Sequence, residues 1–302
     1  MYAKRAFGEK MNATFDFIKE NWKILFKFTT YLMLPLCLIQ ALSLNTLMSK
    51  SMAATANMGT SGVVNPMDLG LTFWMNYGAT ILCAIIGTML LSSLVYGLMK
   101  LYNEREERLV GITFSGIRLI LFRNLGRLVK LFLFSILLVA IVGVIIVLAV
   151  MLTPFTMIVL VPLLIACCIP IALFIPIYLF EDISLIGAFK KTFRLGFATW
   201  GGIFILALVL NIIAGILQGI TMLPWYIATL VKYFFSVSDS GSAATISPLY
   251  SFFLYLLGIL QTFGTYLSMI IIYIGIAYQY GHASEVVDSV SVEEDIENFD
   301  KL

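Results

Sequence analysis

The stretch Pro170–Trp200, PIALFIPIYLFEDISLIGAFKKTFRLGFATW, indicates how the whole chain is organised. Its apolar first part carries Pro170 and Pro176 and ends at the acidic pair Glu181-Asp182. A short amphipathic segment follows, and the chain then becomes apolar again. This order predicts a helix that leaves a membrane, a short helix that lies along the membrane surface, and a further helix that enters the membrane.

The composition of the chain favours the same interpretation. Hydrophobic residues make up 61% of the 302 residues and charged residues only 12%, and the mean hydropathy is +0.99. Soluble domains carry about 25% charged residues, and a folded interior cannot bury this many apolar side chains. We therefore predict an all-α polytopic membrane protein with a single membrane domain at residues 1–283 and an acidic tail at 284–302, which we expect to be disordered.

The apolar segments predict six transmembrane helices. They lie at about residues 24–47, 70–100, 129–152, 155–180, 201–223 and 249–280. Thr153-Pro154 is expected to form the turn between the third and fourth helices, because proline stops one helix and starts the next well. Residues 49–69 and 224–249 are rich in small and polar side chains and are predicted to be loops in water.

Three amphipathic segments are predicted to be cytoplasmic surface helices, each preceding a pair of spans. They are residues 1–23, the segment beginning at Phe114, and the segment carrying Lys190. Shifts of 103 and 178 residues align Asn21-Trp22 with the corresponding points of the second and third segments. The alignment is typical of a threefold internal repeat, although any amphipathic helix placed before a span gives a similar pattern.

The distribution of basic residues predicts the topology. With six spans, 17 of the 19 Lys and Arg residues fall on one side, and only Lys50 and Lys232 fall on the other. Because cytoplasmic loops of membrane proteins carry the excess of positive charge, both termini are predicted to be cytoplasmic.

From Ile175 to Ala207 the chain follows the pattern P-x4-E-D-x-S-x-x-x-A-F-x-x-[ST]-x-x-L, then W-G and an apolar run. This pattern resembles the YciC-like inner-membrane proteins of bacteria and the membrane domain found beside glycerophosphodiester phosphodiesterases. The matching residues are Pro176, Glu181, Ser184, Ala188, Phe189, Arg194 and Leu195, and Thr192 stands where the family usually has Ser. The resemblance implies a bacterial inner-membrane location. Because the phosphodiesterase activity of such fusions resides in a separate soluble barrel, it implies no enzymatic activity here.

Glu181 and Asp182 are the carboxylates most strongly indicated for a functional role, since ionisable groups near membrane depth are rare. A structural role is the alternative. Asp182 or Ser184 could cap the following helix by accepting one of its free N–H groups, and for Asp182 we expect capping rather than a functional role. Glu181 is expected either to pair with a neighbouring Lys or Arg or to be functional.

Polar and proline residues inside the spans suggest a second class of function, a membrane transporter or a lipid-moving protein with a polar path between kinked helices. Asn211, Gln218 and Gln261 are candidates for a polar path, although hydrogen bonds between helices are their ordinary use. Helix kinks are expected at three prolines, because proline removes one helical hydrogen bond; these are Pro35, Pro170 and Pro176.

No pattern in the sequence indicates catalysis. His282 is the only histidine, so a multi-histidine metal site is excluded, and no phosphate-binding loop or nucleophile elbow is present. We expect neither enzymatic activity nor a metal or cofactor. Nucleic acid is not an expected partner, because the basic residues lie next to the membrane.

The leading functional hypothesis is a non-enzymatic scaffold or accessory module of the inner membrane. Its expected partners are anionic lipid headgroups, another protein or a second copy of the chain, each surface Lys or Arg contributing about 1 kcal/mol to lipid binding. The residues predicted to bind are Lys190, Lys191, Arg194, Arg118, Arg123 and Arg127.

Overall fold

A computed structural model describes residues 1–56, 69–238 and 247–290, and these residues form helices without any strand. The helices are α1 (Phe7–Ala56), α2 (Gly70–Glu104), α3 (Phe114–Leu152), α4 (Met157–Ile171), α5 (Phe174–Phe180), α6 (Leu185–Ala198), α7 (Trp200–Ser238) and α8 (Pro248–Val287). A 3₁₀ turn, Pro154–Thr156, joins α3 to α4.

Six helical segments among the described residues are long and apolar enough to cross a membrane. They are Phe7–Met52, Gly70–Glu104, Phe114–Leu152, Met157–Phe180, Trp200–Phe235 and Pro248–Val287. The predicted all-α architecture with six membrane-spanning helices is therefore confirmed, and the chain is a multi-pass membrane protein.

Two of the three predicted surface helices are not separate helices. Residues 7–23 are the first turns of α1, which continues without interruption to Ala56, and the segment from Phe114 is the beginning of α3. Only α6 is a short helix of its own. A long helix keeps all of its interior backbone groups hydrogen-bonded, and no proline or glycine pair interrupts the chain at residues 23 or 129 to favour a break.

Both predicted water-exposed loops are shorter than expected. Helix α1 extends through residue 49 to Ala56, and α7 extends to Ser238 with Pro224 in its interior. The indole Nε1 of Trp225 donates to Oδ1 of Asn45 at 2.7 Å, and Trp225 is 3% exposed. This packing explains why the aromatic segment after Pro224 belongs to a helix. The central parts of both loops, 57–68 and 239–246, lie outside the described residues.

The expected turn at Thr153-Pro154 is present, and the helix that carries Pro170 is interrupted shortly after that residue. Helix α3 ends at Leu152, and Thr153 and Pro154 lead into the turn before α4. After Pro170, the N–H of Leu173 bonds to the Pro170 carbonyl three residues earlier, and α5 starts at Phe174.

The other two prolines predicted to kink a helix lie at different places within their helices. Pro176 is the third residue of α5, where the missing N–H would have had no helical acceptor. Pro35 lies within the uninterrupted α1.

The chain divides into two compact units. The first comprises Met1–Leu25, Ser92–Ile212 and Ile270–Leu302, and the second comprises Phe26–Leu91 and Ile213–Met269. The core of the first unit forms where α5, α6 and α8 pack together, with Leu173, Ile177 and Leu195 fully buried. In the second unit, Trp225, Ala228 and Leu254 form a buried cluster.

Apolar side chains of α3 and α4 remain exposed along most of their lengths. Val139, Met151 and Ile158 are 69%, 77% and 71% exposed. Exposure of this kind is costly in water but favourable in contact with lipid chains, which agrees with the membrane-spanning assignment.

The segment expected to be a disordered tail begins as helix. Helix α8 runs to Val287, four residues beyond the predicted domain end at 283, because Ala283 and Ser284 are fully buried and Glu285 nearly so. Residues 291–302 lie outside the described part of the chain.

Candidate functional site

Residues of the α5–α6 connection itself determine where α5 ends and where α6 begins. Helix α5 ends at Phe180, and Glu181 has an extended backbone with φ −100° and ψ 142°. Ser184 is the N-cap of α6, and its hydroxyl accepts the N–H of Gly187 at 3.1 Å. The expectation that Asp182 is the cap is therefore wrong. Ser184 directly precedes the first helical residue, which places its short side chain over the free N–H groups.

Glu181 lies at the centre of a polar network within the first unit. One oxygen is 2.9 Å from Nζ of Lys191, and the other accepts a hydrogen bond from the hydroxyl of Tyr280 at 2.7 Å. The hydroxyl of Tyr2 lies 3.2 Å from that of Tyr280. The Glu181 side chain is only 17% exposed, so these partners replace much of its water.

Asp182 is held by two arginines of α3. Its Oδ1 is 2.7 Å from Arg123 and 3.0 Å from Arg127. Desolvation acts to raise the pKa of Asp182, but the charges of Arg123, Lys100 and Arg127 outweigh it and leave the pKa below its ordinary value. The carboxylate is therefore ionised at neutral pH.

Arg127 joins three features of the α5–α6 connection. Besides the Asp182 carboxylate, its guanidinium donates to the backbone carbonyl of Glu181 at 2.7 Å and lies 4.5 Å from the centre of the Tyr178 ring. Its side chain is 16% exposed. The planar guanidinium suits this combination of two oxygen acceptors and an aromatic face, so Arg127 fixes the end of α5 against α3.

Asp288, just after α8, completes the network. It lies 2.9 Å from Lys191 and 2.6 Å from Arg194, and its side chain is 16% exposed. The sequence interpretation missed Asp288, because it assigned the acidic tail to disorder. The opposite charges of the tail and of α6 were the available signal.

Lys191 connects two carboxylates, Glu181 and Asp288. Burial acts to lower the pKa of Lys191, but its contacts with both carboxylates outweigh burial and raise the pKa above its ordinary value. A cation between two carboxylates, with all three side chains at most 20% exposed, joins α6 to the ends of α5 and α8.

The six basic residues predicted to bind lipid or a partner thus differ in their surroundings. Lys191, Arg194, Arg123 and Arg127 are all engaged in ion pairs with carboxylates of the same chain. Lys190 and Arg118 are exposed, and neither forms an ion pair in the described part of the chain. The guanidinium of Arg118 lies 5.7 Å from the centre of the Phe122 ring.

The residues predicted to line a polar path are also placed differently from one another. Asn211 is exposed, and its amide donates to the Ala207 carbonyl of its own helix at 2.8 Å. In the second unit, Gln218 donates to the Thr265 hydroxyl at 3.3 Å. The Oε1 atom of Gln261, in the same unit, is buried and has no hydrogen-bond partner within the described part of the chain.

Comparison of the chain with protein-family models, with curated proteins and with solved structures returned no match.

Proposed function

We propose that this protein is a non-enzymatic module of a bacterial inner membrane that binds anionic lipid headgroups through the outward face of α6 and the beginning of α3. The observation that carries the proposal is the composition of the α6 face turned away from the core. Ile186, Lys190 and Phe197 follow one another at helical spacing and are all exposed, with Ile186 61% and Phe197 52% exposed.

A surface that combines a cation with large apolar side chains suits the boundary between headgroups and acyl chains. Burial of each apolar side chain there contributes about 1.5–3 kcal/mol, and each nearby cation contributes about 1 kcal/mol toward an anionic leaflet. The apolar part therefore outweighs the ionic part. This balance favours lipid over a soluble acidic partner, with a protein partner or a second copy of the chain as the alternative occupant.

The ion-pair network supports this role by holding α6 in place. Lys191 and Arg194 bind Asp288, while Arg127 binds the connection that precedes α6. Because these cations are neutralised within the chain, the lipid contact falls to Lys190 and Arg118. Clusters of four or more basic residues are usual for strong headgroup binding, so this contact is modest in strength and depends on the adjoining apolar residues.

We further infer that both termini and α6 face the cytoplasm. The distribution of basic residues supports this inference, because 17 of the 19 Lys and Arg residues lie on the proposed cytoplasmic side. The resemblance of residues 175–207 to YciC-like proteins supports the bacterial inner membrane as the location.

Charge reversal tests the proposed contact. The double variant Lys190→Glu with Arg118→Glu leaves the ion-pair network intact, and Lys50→Glu is the matched control on the proposed opposite face. Each protein is purified from nanodiscs of mixed phosphatidylcholine and phosphatidylglycerol, and the lipids retained are counted by native mass spectrometry. The double variant should lose its preference for phosphatidylglycerol while Lys50→Glu keeps it. An unchanged preference in the double variant contradicts the proposal.

Transport is a second candidate function, favoured by a pocket in the second unit that is lined in part by polar side chains. The pocket has a volume of about 320 Å³, and its lining includes Asn45, Lys50, Lys232 and Tyr255. A water-filled path from such a pocket toward Gln261 would allow a water-soluble thiol reagent to label Gln261→Cys. Phe263→Cys is the control. Absence of labelling at Gln261→Cys contradicts the transport candidate and leaves the lipid-binding proposal unaffected.

A further inference from the structure

Lys10, near the beginning of α1, is a buried cation without an acidic partner in the described ranges 1–56, 69–238 and 247–290. It is 4% exposed, and its Nζ donates to Oε1 of Gln279 in α8 at 2.8 Å. Within the part of the chain that the structure describes, no carboxylate oxygen lies within 4.0 Å of Nζ. An ammonium group has three N–H donors, and a buried charge is costly unless further partners satisfy it.

Gln279 provides a second unused donor at the same place. The residue is fully buried, and its Nε2 atom has no hydrogen-bond partner among the residues that the structure describes. Buried side-chain nitrogens without partners are uncommon in proteins and call for an explanation such as a missing ligand. Lys10 Nζ and Gln279 Nε2 therefore form a pair of donors of which only one N–H is known to be used.

Gly202, at the start of α7, places no side chain against these two donors. A Cβ atom at Gly202 would lie 3.4 Å from Gln279 Nε2 and 3.7 Å from Lys10 Nζ, without any closer contact. Glycine therefore leaves room for a methyl group beside both donors, on the side that faces the first turn of α7. Gly202 is partly exposed and Gly201 is exposed, so the space is reached from the side of these glycines.

The beginning of α7 adds backbone donors. Gly202 is the third residue of α7, and the first bond into this helix runs from the N–H of Ile203 to the carbonyl of Thr199. The N–H groups of the first turn have no acceptor inside a helix, and the helix dipole adds partial positive charge there. Anions commonly bind at such positions, particularly where glycines allow close approach.

We propose that Lys10, Gln279 and the N-terminal turn of α7 at Gly202 form a binding site for a phosphate group. All the unused groups are donors, so the complementary ligand is an anion. The several oxygens of a phosphate can accept from an ammonium, an amide and a backbone N–H together. The phosphate is either inorganic phosphate or the headgroup of a phospholipid.

Gly202→Ala tests the site directly. The added methyl group would meet both donors at ordinary contact distances, so the fold is kept while a ligand oxygen can no longer approach both donors from the side of α7. Gly201→Ala is the matched control, because a Cβ there meets nothing within 4 Å. Lys10→Gln, which removes the charge, is a second variant in case Gly202→Ala does not fold. All are made in the full chain, purified in detergent.

Binding is measured with two probes. Inorganic phosphate is titrated by isothermal calorimetry in a chloride buffer, and co-purified phospholipid is identified by native mass spectrometry. The wild type and Gly201→Ala should bind one of the two probes, and Gly202→Ala or Lys10→Gln should bind it about tenfold or more weakly. Binding of inorganic phosphate identifies a free-anion site, whereas retention of phosphatidylglycerol alone identifies a headgroup site.

Two results would overturn the proposal. One is that wild-type protein binds neither inorganic phosphate nor phosphatidylglycerol in a saturable manner. The other is that Gly202→Ala and Lys10→Gln bind as tightly as Gly201→Ala. In either case Lys10 and Gln279 serve only to hold α1 against α8.

Discussion

Replacing Lys191 by methionine should destabilise the protein, whereas the same change at the adjacent Lys190 should not. Methionine keeps the length and the apolar stem of lysine but removes the charge. At position 191 this change leaves Glu181 and Asp288 without their shared cation. At position 190 the side chain is exposed and forms no ion pair in the described part of the chain.

The expected loss of unfolding free energy in Lys191→Met follows from how deeply its ion pairs are buried. Removing one partner of a fully buried ion pair costs about 3–5 kcal/mol, because the remaining charge is left uncompensated. Here the three side chains are 16–20% exposed, and Arg194 still binds Asp288. We therefore expect Lys191→Met to cost about 2–3 kcal/mol, and Lys190→Met to change the free energy of unfolding by less than about 0.5 kcal/mol.

The free energy of unfolding is measured by titrating the purified proteins from mild detergent into sodium dodecyl sulphate and following helix content. Glu181→Gln serves as a second variant, since its amide can still accept from Tyr280 but has no charge for Lys191. It should lose part of the same stability. If Lys191→Met is no less stable than Lys190→Met, the network does not hold α6 and the reasoning is refuted.

Further predictions concern the same region and use the same unfolding measurement. Ser184→Ala should cost about 1 kcal/mol through loss of the α6 cap; no loss would mean that the hydrogen bond to Gly187 contributes nothing. Gly196→Ala should cost about 1–3 kcal/mol, because the new Cβ would lie 2.7 Å from Cα of Pro170. Gly126→Ala, with nothing within 4 Å, should be neutral or stabilising by up to about 1 kcal/mol, and equal effects at the two glycines would contradict this packing. The raised pKa of Lys191 means that its stabilisation is present below the ordinary value of 10.5 and is lost as the pH rises through the higher folded value. Wild-type protein should therefore lose stability above about pH 10.5 more steeply than Lys191→Met, and parallel curves would contradict the assignment.

The sequence was sufficient to predict the six apolar helices, because hydrophobic length is a local property. The turn at Thr153-Pro154 followed from the chemistry of proline, whereas at Pro170 a kink was expected within one span and the structure has an interruption between α4 and α5. The cap of α6 was narrowed to two residues, and the choice between them depended on where the first helical turn begins. Because α6 begins at Leu185, the residue before it, Ser184, is the cap; a cap at Asp182 would require a helix that starts two residues earlier.

Helix ends were harder to predict, because packing overrides local composition. The segment around Trp225 resembles a loop by composition, yet Trp225 and Asn45 bind each other from positions 180 residues apart. Likewise α8 extends past residue 283 because its side chains there are buried. Neither contact leaves a periodic signal in the sequence.

Only part of the polar network could be predicted, because the fold brings together partners that are distant in the sequence. Glu181 was expected to pair with a basic residue, and Lys191 is ten positions away on the next helix. Asp288 and Gln279 reach their partners, Lys191 and Lys10, only through the fold. A buried lysine such as Lys10 is not distinguishable in sequence from the exposed lysines that set topology.

The proposed lipid contact requires that α6 face the cytoplasmic side of the membrane. In a chain whose four cysteines are replaced by alanine, Lys190→Cys and Lys50→Cys are each labelled with a membrane-impermeant thiol reagent in intact bacteria. We expect Lys50→Cys to be labelled in intact cells and Lys190→Cys to be labelled only after the membrane is permeabilised. Labelling of Lys190→Cys in intact cells would contradict the proposed cytoplasmic surface and the lipid contact assigned to it.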